Sequence, residues 1–242
     1  MSFVHRAISS AARRLQRPEL VATFYGGARR LLHEEIAVQA LIAALLRQDA
    51  TYVDVGTNRG QLLAEALRVA PRGQHLAFEP IPELAAEVRR KFPGVDTRQL
   101  ALSEQPGTAE FCHFTTMDGW SGLHRSPEVS DVRGHPEYIQ VELSTLDAEL
   151  AGISPRLIKI DVEGAELDVV RGGRELLASV KPFVIFEHVA VAAALYSSSS
   201  SDLWELFDEL GYDVFSITGE GPLAREAFAG ADGVNWLARP TR

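Results

Sequence analysis

A chain of 242 residues with 46% hydrophobic and 24% charged residues has the composition of one well-cored domain, alone or with a small appendage, and is too apolar for a disordered chain. Its formal charge of −9, from 24 basic and 33 acidic residues, argues against a nucleic-acid partner, whose phosphates call for a basic surface. A single cysteine, Cys112, excludes an internal disulfide and any cysteine-rich zinc site, and no apolar run approaches the ~18 residues of a membrane-crossing helix.

The first 30 residues stand apart, with six arginines (6, 13, 14, 17, 29 and 30) against one acid, Glu19. Val4, Ile8, Ala11, Ala12 and Leu15 follow a helical period, while Arg6, Arg13 and Arg17 fall on another face. This pattern suits a helix packed on the body of the protein or on a second subunit, as in a homo-oligomer. A membrane-surface contact or a targeting role is the alternative. The h-region of a secretory signal is missing, so a cytoplasmic protein is expected. Pro18 and the Gly26-Gly27 pair read as interruptions. Residues 33–47 read as the next helix, with Glu34 and Glu35 in its first turn and Arg47 in its last, as the macrodipole prefers. The chain divides on this reading into an N-terminal helical segment, 1–50, and a main domain, 51–242.

From residue 51, short β-branched or apolar runs recur at 51–55, 75–79, 95–100, 156–161, 182–187, 212–217 and 234–238. Helical patterns follow most of them, at 60–69, 82–91, 164–179 and 201–210. Such alternation predicts an α/β fold with a mostly parallel central sheet and helices on both faces. Residues 101–150 depart from it: 108–114 and 138–143 read as extended segments around a polar loop, 115–136, and 146–150 begins a short helix. Five serines at 197–201 form a joint whose last member is placed to cap the helix containing Trp204, with Glu205 supporting that start.

Two segments carry the chemistry. In the first, Tyr52-Val53-Asp54-Val55 is a buried-strand pattern that Gly56-Thr57-Asn58-Arg59-Gly60 turns into an amphipathic helix. Glycine at 56 lets backbone approach a ligand closely, and glycine at 60 permits tight helix–strand packing. A dinucleotide pyrophosphate prefers G-x-G-x-x-G, yet Asn58 stands at the second glycine's place and Asp54 brings a negative charge that repels phosphate. The same carboxylate suits the ammonium and sulfonium of S-adenosylmethionine. Glu79, at the end of the next strand, is placed to accept both ribose hydroxyls. The second segment, 157–166, is an apolar strand ending in Asp161, followed by Glu163, a helix-opening glycine and Glu166. Asp161 and Glu163 are placed to meet the substrate or the cofactor's amino group, while Glu166 suits the helix N-terminus. The strand 183–186 then ends in Glu187-His188, of which either is a candidate proton acceptor. These acids with His188 could also hold a divalent metal, but their spacing is not diagnostic and no metal ligand is assigned.

With these residues in view, the sequence resembles the FkbM-type methyltransferases, a family of class I S-adenosylmethionine-dependent enzymes. The matching segments are YVDVGTNRGQ at 52–61, LAFEPIPE at 76–83, Ala101-Leu102-Ser103, STLDAEL at 144–150, LIKIDVEGAELDVVRGG at 157–173 and FVIFEHV at 183–189. The resemblance implies a Rossmann-like fold, S-adenosylmethionine as donor, and O-methylation of a hydroxyl on a sugar, glycan or natural product. By position it implies that Asp54, Gly56, Asn58 and Gly60 line the methionine end and that Glu79 holds the ribose. Leu102 and Ser103 then lie near the adenine, with Asp161 also at the cofactor. The segment 118–123 is similar to a Gly/Ser loop of such domains, with Trp120 as an apolar wall. Arg59 departs from the pattern: directed inward it suits an anionic acceptor, and the alternative is exposure at the first helical turn. A nicotinamide-dependent oxidoreductase on a similar sheet, or a non-catalytic cofactor-binding protein, is the rival reading.

Overall fold

The computed structural model describes residues 18–115, 121–123 and 137–241, with side chains from residue 30 onward. Helix α1 (Pro18–Leu45) leads into β1 (Tyr52–Val55), α2 (Gln61–Val69), β2 (Leu76–Phe78), α3 (Pro82–Lys91) and β3 (Asp96–Arg98). A small excursion follows: β4 (Ala101–Leu102), β5 (Gly107–His113), β6 (Glu137–Ser144) and α4 (Leu146–Glu149). The second half comprises β7 (Leu157–Ile160), α5 (Glu166–Arg171), α6 (Arg174–Val180), β8 (Phe183–Glu187), α7 (Ala190–Ala194), α8 (Ser200–Glu209), β9 (Tyr212–Ser216), α9 (Arg225–Ala229) and β10 (Asn235–Pro240).

Seven strands make the main sheet in the order β3-β2-β1-β7-β8-β10-β9, and three make a second sheet, β4-β6-β5. From β3 to β8 every pairing is parallel, while β10 runs antiparallel to both β8 and β9. Strand alternation sorts the side chains to two faces. Val53, Val55, Leu76, Phe78, Ile158, Ile160, Val184 and Phe186 pack against α5, α6, α8 and α9. Tyr52, Ala77, Leu157 and Ile185 pack against α1, α2 and α3. A mostly parallel sheet covered by helices on both faces is therefore what the sequence pattern predicted. The order reverses at β1, from which β2 and β7 lie on opposite sides, and an open α/β sheet binds ligands beyond the carboxyl ends at such a point.

Several sequence expectations are corrected. Helix α1 continues through Gly26-Gly27, where a break was expected. Each glycine costs only ~1 kcal/mol against alanine. Glu34 accordingly sits inside a helix. Its Oε2 accepts the backbone N–H groups of Val234 (3.2 Å) and Asn235 (2.8 Å), tying α1 to the start of β10. Val38, Ile42 and Leu46 of the same segment are buried against the sheet. The run 95–100 yields β3 and then a chain that leaves for the second sheet at β4. The helix expected over 164–179 is two helices, because Gly172 and Gly173 pack so closely that a Cβ would meet Ser103 O at 2.1 Å and Leu146 Cδ2 at 2.6 Å. The cap of α8 is Ser199, in a capping box with Asp202, and not Ser201. The arginines at 6, 13, 14 and 17 lie outside the described residues. No helix among the described residues is long and apolar enough to cross a membrane.

Replacing Glu34 with alanine leaves two half-buried N–H groups without their acceptor. Urea unfolding of this variant is expected to show a loss of about 1–3 kcal/mol. A change within 0.3 kcal/mol (roughly the scatter of such measurements) would mean that the Glu34 tie to β10 contributes nothing to the fold.

Candidate active site

A cavity of about 420 Å³ opens across the carboxyl ends of β2, β1, β7 and β8. Its two ends differ in chemistry. Ile81, Leu100, Ala101, Leu102, Phe111 and Leu123 make one end apolar. Asp161, Glu163 and Glu187 gather at the other, with one carboxylate oxygen of each within 4.8 Å of the others. Gly56, Asn58 and Glu79 line the wall too. No Lys, Arg or His is among the described residues of that wall, so the cavity presents a negative field suited to a cation, organic or metallic.

The loop after β1 is built to hold this shape. Gly56 has a φ of 77°, and a Cβ there would stand 1.8 Å from the carbonyl oxygen of Asp161. That contact locks the ends of β1 and β7 together. Asn58, also left-handed at φ 51°, donates its N–H to Glu79 Oε2 at 2.8 Å. Ile81 N–H donates to the other oxygen, Oε1, at 3.0 Å. Glu79 is thus clamped at the rim by two loops. Gly60 fits differently from the sequence reading: its missing Cβ makes room for Phe92 at the end of α3, with Cε2 2.5 Å from the Cβ position, rather than for a strand. Asp54 and Gly60 are not among the lining residues. Asp54 braces the loop from behind, accepting the Thr57 hydroxyl at 2.8 Å. Burial pushes its carboxyl up to about 6, although Thr57 and Lys159 oppose the rise.

The loop after β7 is equally constrained. Glu163 adopts a left-handed φ of 56°, and Glu166 Oε1 accepts the N–H groups of Gly164 (3.0 Å) and Val162 (3.4 Å). Glu166 therefore organises the loop that displays Asp161 and Glu163. Lys159 Nζ lies 3.2 Å from Asp161 Oδ2. Burial, then the neighbouring Asp161, push the Glu187 carboxyl up to about 8. His188 is buried outside the cavity lining: its ring stacks on Phe228, Nε2 pairs with Ser200 Oγ at 2.9 Å, and Nδ1 lies 3.8 Å from Glu166 Oε2.

Of the other sequence candidates, Leu102 lines the apolar end and Ser103 does not; Ser103 N–H donates to Ser144 O. Arg59 turns to α3, donating to Glu87 at 2.6 Å, and its side chain is exposed. Its place supports exposure over an inward cation. Ser121 and Leu123 of the 118–123 loop reach the cavity wall, and Gly122 bridges to Cys112. Trp120, His124 and His135 lie outside the described residues. Sequence reasoning missed Thr57, Lys159, Val189 and Ala192. The signal for Lys159 was a lysine inside a four-residue apolar strand, two residues before an acid.

Comparison with known proteins decides the family. The model of the methyltransferase FkbM domain matches residues 54–214, more than half of the chain. The chain belongs to the FkbM methyltransferase family. It is 34% identical over 165 residues to the 2-O-methyltransferase NoeI of Sinorhizobium fredii, covering 61% of this chain and 67% of that one. It is 28% identical over 194 residues to the methyltransferase sdnD of Sordaria araneosa, covering 67% and 73%. Among solved structures it resembles the methyltransferase FkbM of Methylobacillus flagellatus, with a TM-score of 0.50 and 18% identity over 81% of this chain. The chain spans 45% of that protein's length, so the likeness bears on the fold alone. The fold is the Rossmann-like one of class I methyltransferases, and FkbM membership makes the chain a methyltransferase.

Proposed function

We propose that the chain is an S-adenosylmethionine-dependent O-methyltransferase acting on a hydroxyl of a sugar, glycan or natural product. The observation that carries the donor assignment is the polarity of the cavity: apolar end, clamped Glu79, then a cluster of carboxylates. The residues fit the donor group by group. Leu102, Leu100 and Leu123 offer an apolar slot for the adenine, the carboxylate of Glu79 on the cavity wall is the acceptor type the ribose hydroxyls call for, and the acid end suits the ammonium and sulfonium. Methyl transfer to a hydroxyl oxygen is supported by the 34% identity to a 2-O-methyltransferase.

S-adenosylmethionine supplies the electrophilic methyl group when bound. The chain's own groups bind and orient the reactants, which is most of what an in-line displacement needs. Asp161 and Glu163 position the acceptor and the positive end of the donor. Glu187, which lines the cavity, accepts the hydroxyl proton at its carboxylate oxygen once ionised. His188 supports this wall from behind through Ser200 and Glu166, and is a positioning residue.

Incubating the chain with methyl-labelled donor and a panel of sugars, glycans and hydroxylated natural products tests the assignment. Label in an alkali-stable ether supports it; tight donor binding with no transfer to any acceptor favours a non-catalytic cofactor-binding protein. For the donor site itself, Glu79→Gln turns an amide NH₂ toward one of two backbone N–H donors. S-adenosylhomocysteine affinity is expected to fall roughly 10–100-fold by calorimetry, since each lost tenfold corresponds to about 1.4 kcal/mol. Unchanged affinity would remove Glu79 from the ribose.

A further inference from the structure

Strand β7 carries a charge where a strand covered on both faces has no solvent to receive it. Ile158 and Ile160 pack into the core under α5 and α6, so alternation turns Lys159 to the opposite face, where Tyr52 and Leu157 lie. Lys159 is 2% exposed, and a buried ammonium is costly unless paired. Its Nζ lies 3.2 Å from Asp161 Oδ2 and donates to the Ile160 carbonyl at 3.2 Å. In the sheet it stands beside Asp54 of β1 and Ile185 of β8.

The groups facing it come from every neighbouring element. Asp54 faces it from β1, with the Tyr52 phenol beside Asp54, Asp161 from the loop after β7, and Glu187 from the end of β8. Glu163 joins Asp161 and Glu187 in the cluster, while Glu166 on α5, which also lines the cavity, and Glu34 on α1 add like charge around Glu187. Lys159 is thus the buried cation set among Asp161, Glu187 and Asp54, and without it the like charges of the cluster would oppose one another with less relief.

Resting on the donor assignment above, we propose that Lys159 is a positioning residue: from beneath the strand ends it fixes Asp161 and supplies the counter-charge that lets Asp161, Glu163 and Glu187 share one small volume and still receive a cation. Lys159 does not line the cavity, so it acts through these carboxylates and not on the substrate. Burial pulls its ammonium down, but Asp161, Glu187 and Asp54 outweigh burial, and the group stays above the ordinary lysine value and charged. The same charge opposes the burial and the Asp161 repulsion that push Glu187 upward.

Calorimetry of the full chain with S-adenosylmethionine and S-adenosylhomocysteine across a pH series tests this without an acceptor. The two ligands differ by the sulfonium charge, so the ratio of their affinities reads the ionisation of the acid end. In the wild type the preference for the cation is expected to grow as pH passes through about 8, where Glu187 ionises. In Lys159→Met the midpoint is expected to rise by about one unit, the scale of losing one nearby opposite charge, with S-adenosylhomocysteine still bound. Asp161→Asn should lower the midpoint, and the double variant should fall between the two single ones. An unmoved midpoint in Lys159→Met, or an equal loss of both ligands at every pH, overturns the proposal by assigning Lys159 to packing alone. Should Lys159→Met fail to fold, the double variant is compared with Asp161→Asn, and identical midpoints overturn it equally. Failure of the double variant to fold as well also assigns Lys159 to packing. A wild-type chain that binds neither nucleoside sinks the donor assignment itself, and this proposal with it.

Discussion

Replacing Glu187 with glutamine is expected to lower methyl-transfer turnover by roughly 10²–10⁴-fold, the usual contribution of a positioned general base, while S-adenosylhomocysteine binding persists. The carboxylate lines the cavity beside Asp161 and Glu163, and the amide that replaces it has nearly the same shape but no basicity. The pH dependence sharpens the expectation. Only the ionised form accepts a proton, and Glu187 is pushed up to about 8, so wild-type kcat/KM should climb with pH and level off above that value. The climb should be missing from the glutamine variant. If the variant keeps both its rate and the same climb, the proton goes elsewhere.

Stability should move in the opposite direction. A carboxyl whose folded pKa is raised binds more protons folded than unfolded within the window between the two values. The folded state therefore loses stability as pH rises from the ordinary glutamate value of 4.5 to about 8. Ligand-free Glu187→Gln should accordingly melt higher than wild type at pH 8 and differ little at pH 4. Equal melting temperatures at pH 8 would show that Glu187 is solvated enough to ionise freely. A group that costs stability where it is needed for chemistry is the pattern of a functional site.

Gly56→Ala is the second large effect. The added Cβ would stand 1.8 Å from Asp161 O, a backbone atom that cannot rotate away, at a φ of 77° that costs a non-glycine residue further. Relieving the clash means separating β1 from β7 at the cavity floor. Denaturant unfolding is expected to show a loss of more than about 3 kcal/mol, with donor affinity lost alongside. Gly94→Ala, where nothing lies within 4 Å of the new Cβ, serves as the control and should be near neutral. Comparable melting of the two variants would contradict the close β1–β7 approach.

How much of this was legible depended on the range of the interaction involved. The buried strands β1, β2, β7 and β8 announce themselves as apolar runs with a helix after most of them, and Asp54, Glu79, Asp161 and Glu187 then fall at strand ends by counting. Pairing order is not local. The antiparallel β10 lies between β8 and β9 although it comes last in the chain, and no periodicity records that. Direction of side chains is the other blind spot. His188 adjoins Glu187 in sequence, yet the two-residue period of a strand turns neighbours to opposite faces, and His188 ends among Phe228 and Ser200. Arg59 stands one residue from Asn58 but pairs with Glu87 on α3. Glu34 read as a dipole-favoured acid at a helix start, whereas its partners are 200 and 201 residues away. The alternation that separates Lys159 from Ile158 and Ile160 was readable, and so was the cost of burying it. Its pairing with Asp161, two residues on, needed coordinates.

A crystal structure of the full chain with S-adenosylhomocysteine bound is the most direct test of the cavity's assignment. The account predicts the adenine between Leu102 and Leu123, the ribose hydroxyls on Glu79, and the sulfur directed toward Asp161 and Glu187. A nucleoside bound in the reverse sense, with its base among the carboxylates, or bound outside this cavity, would contradict it.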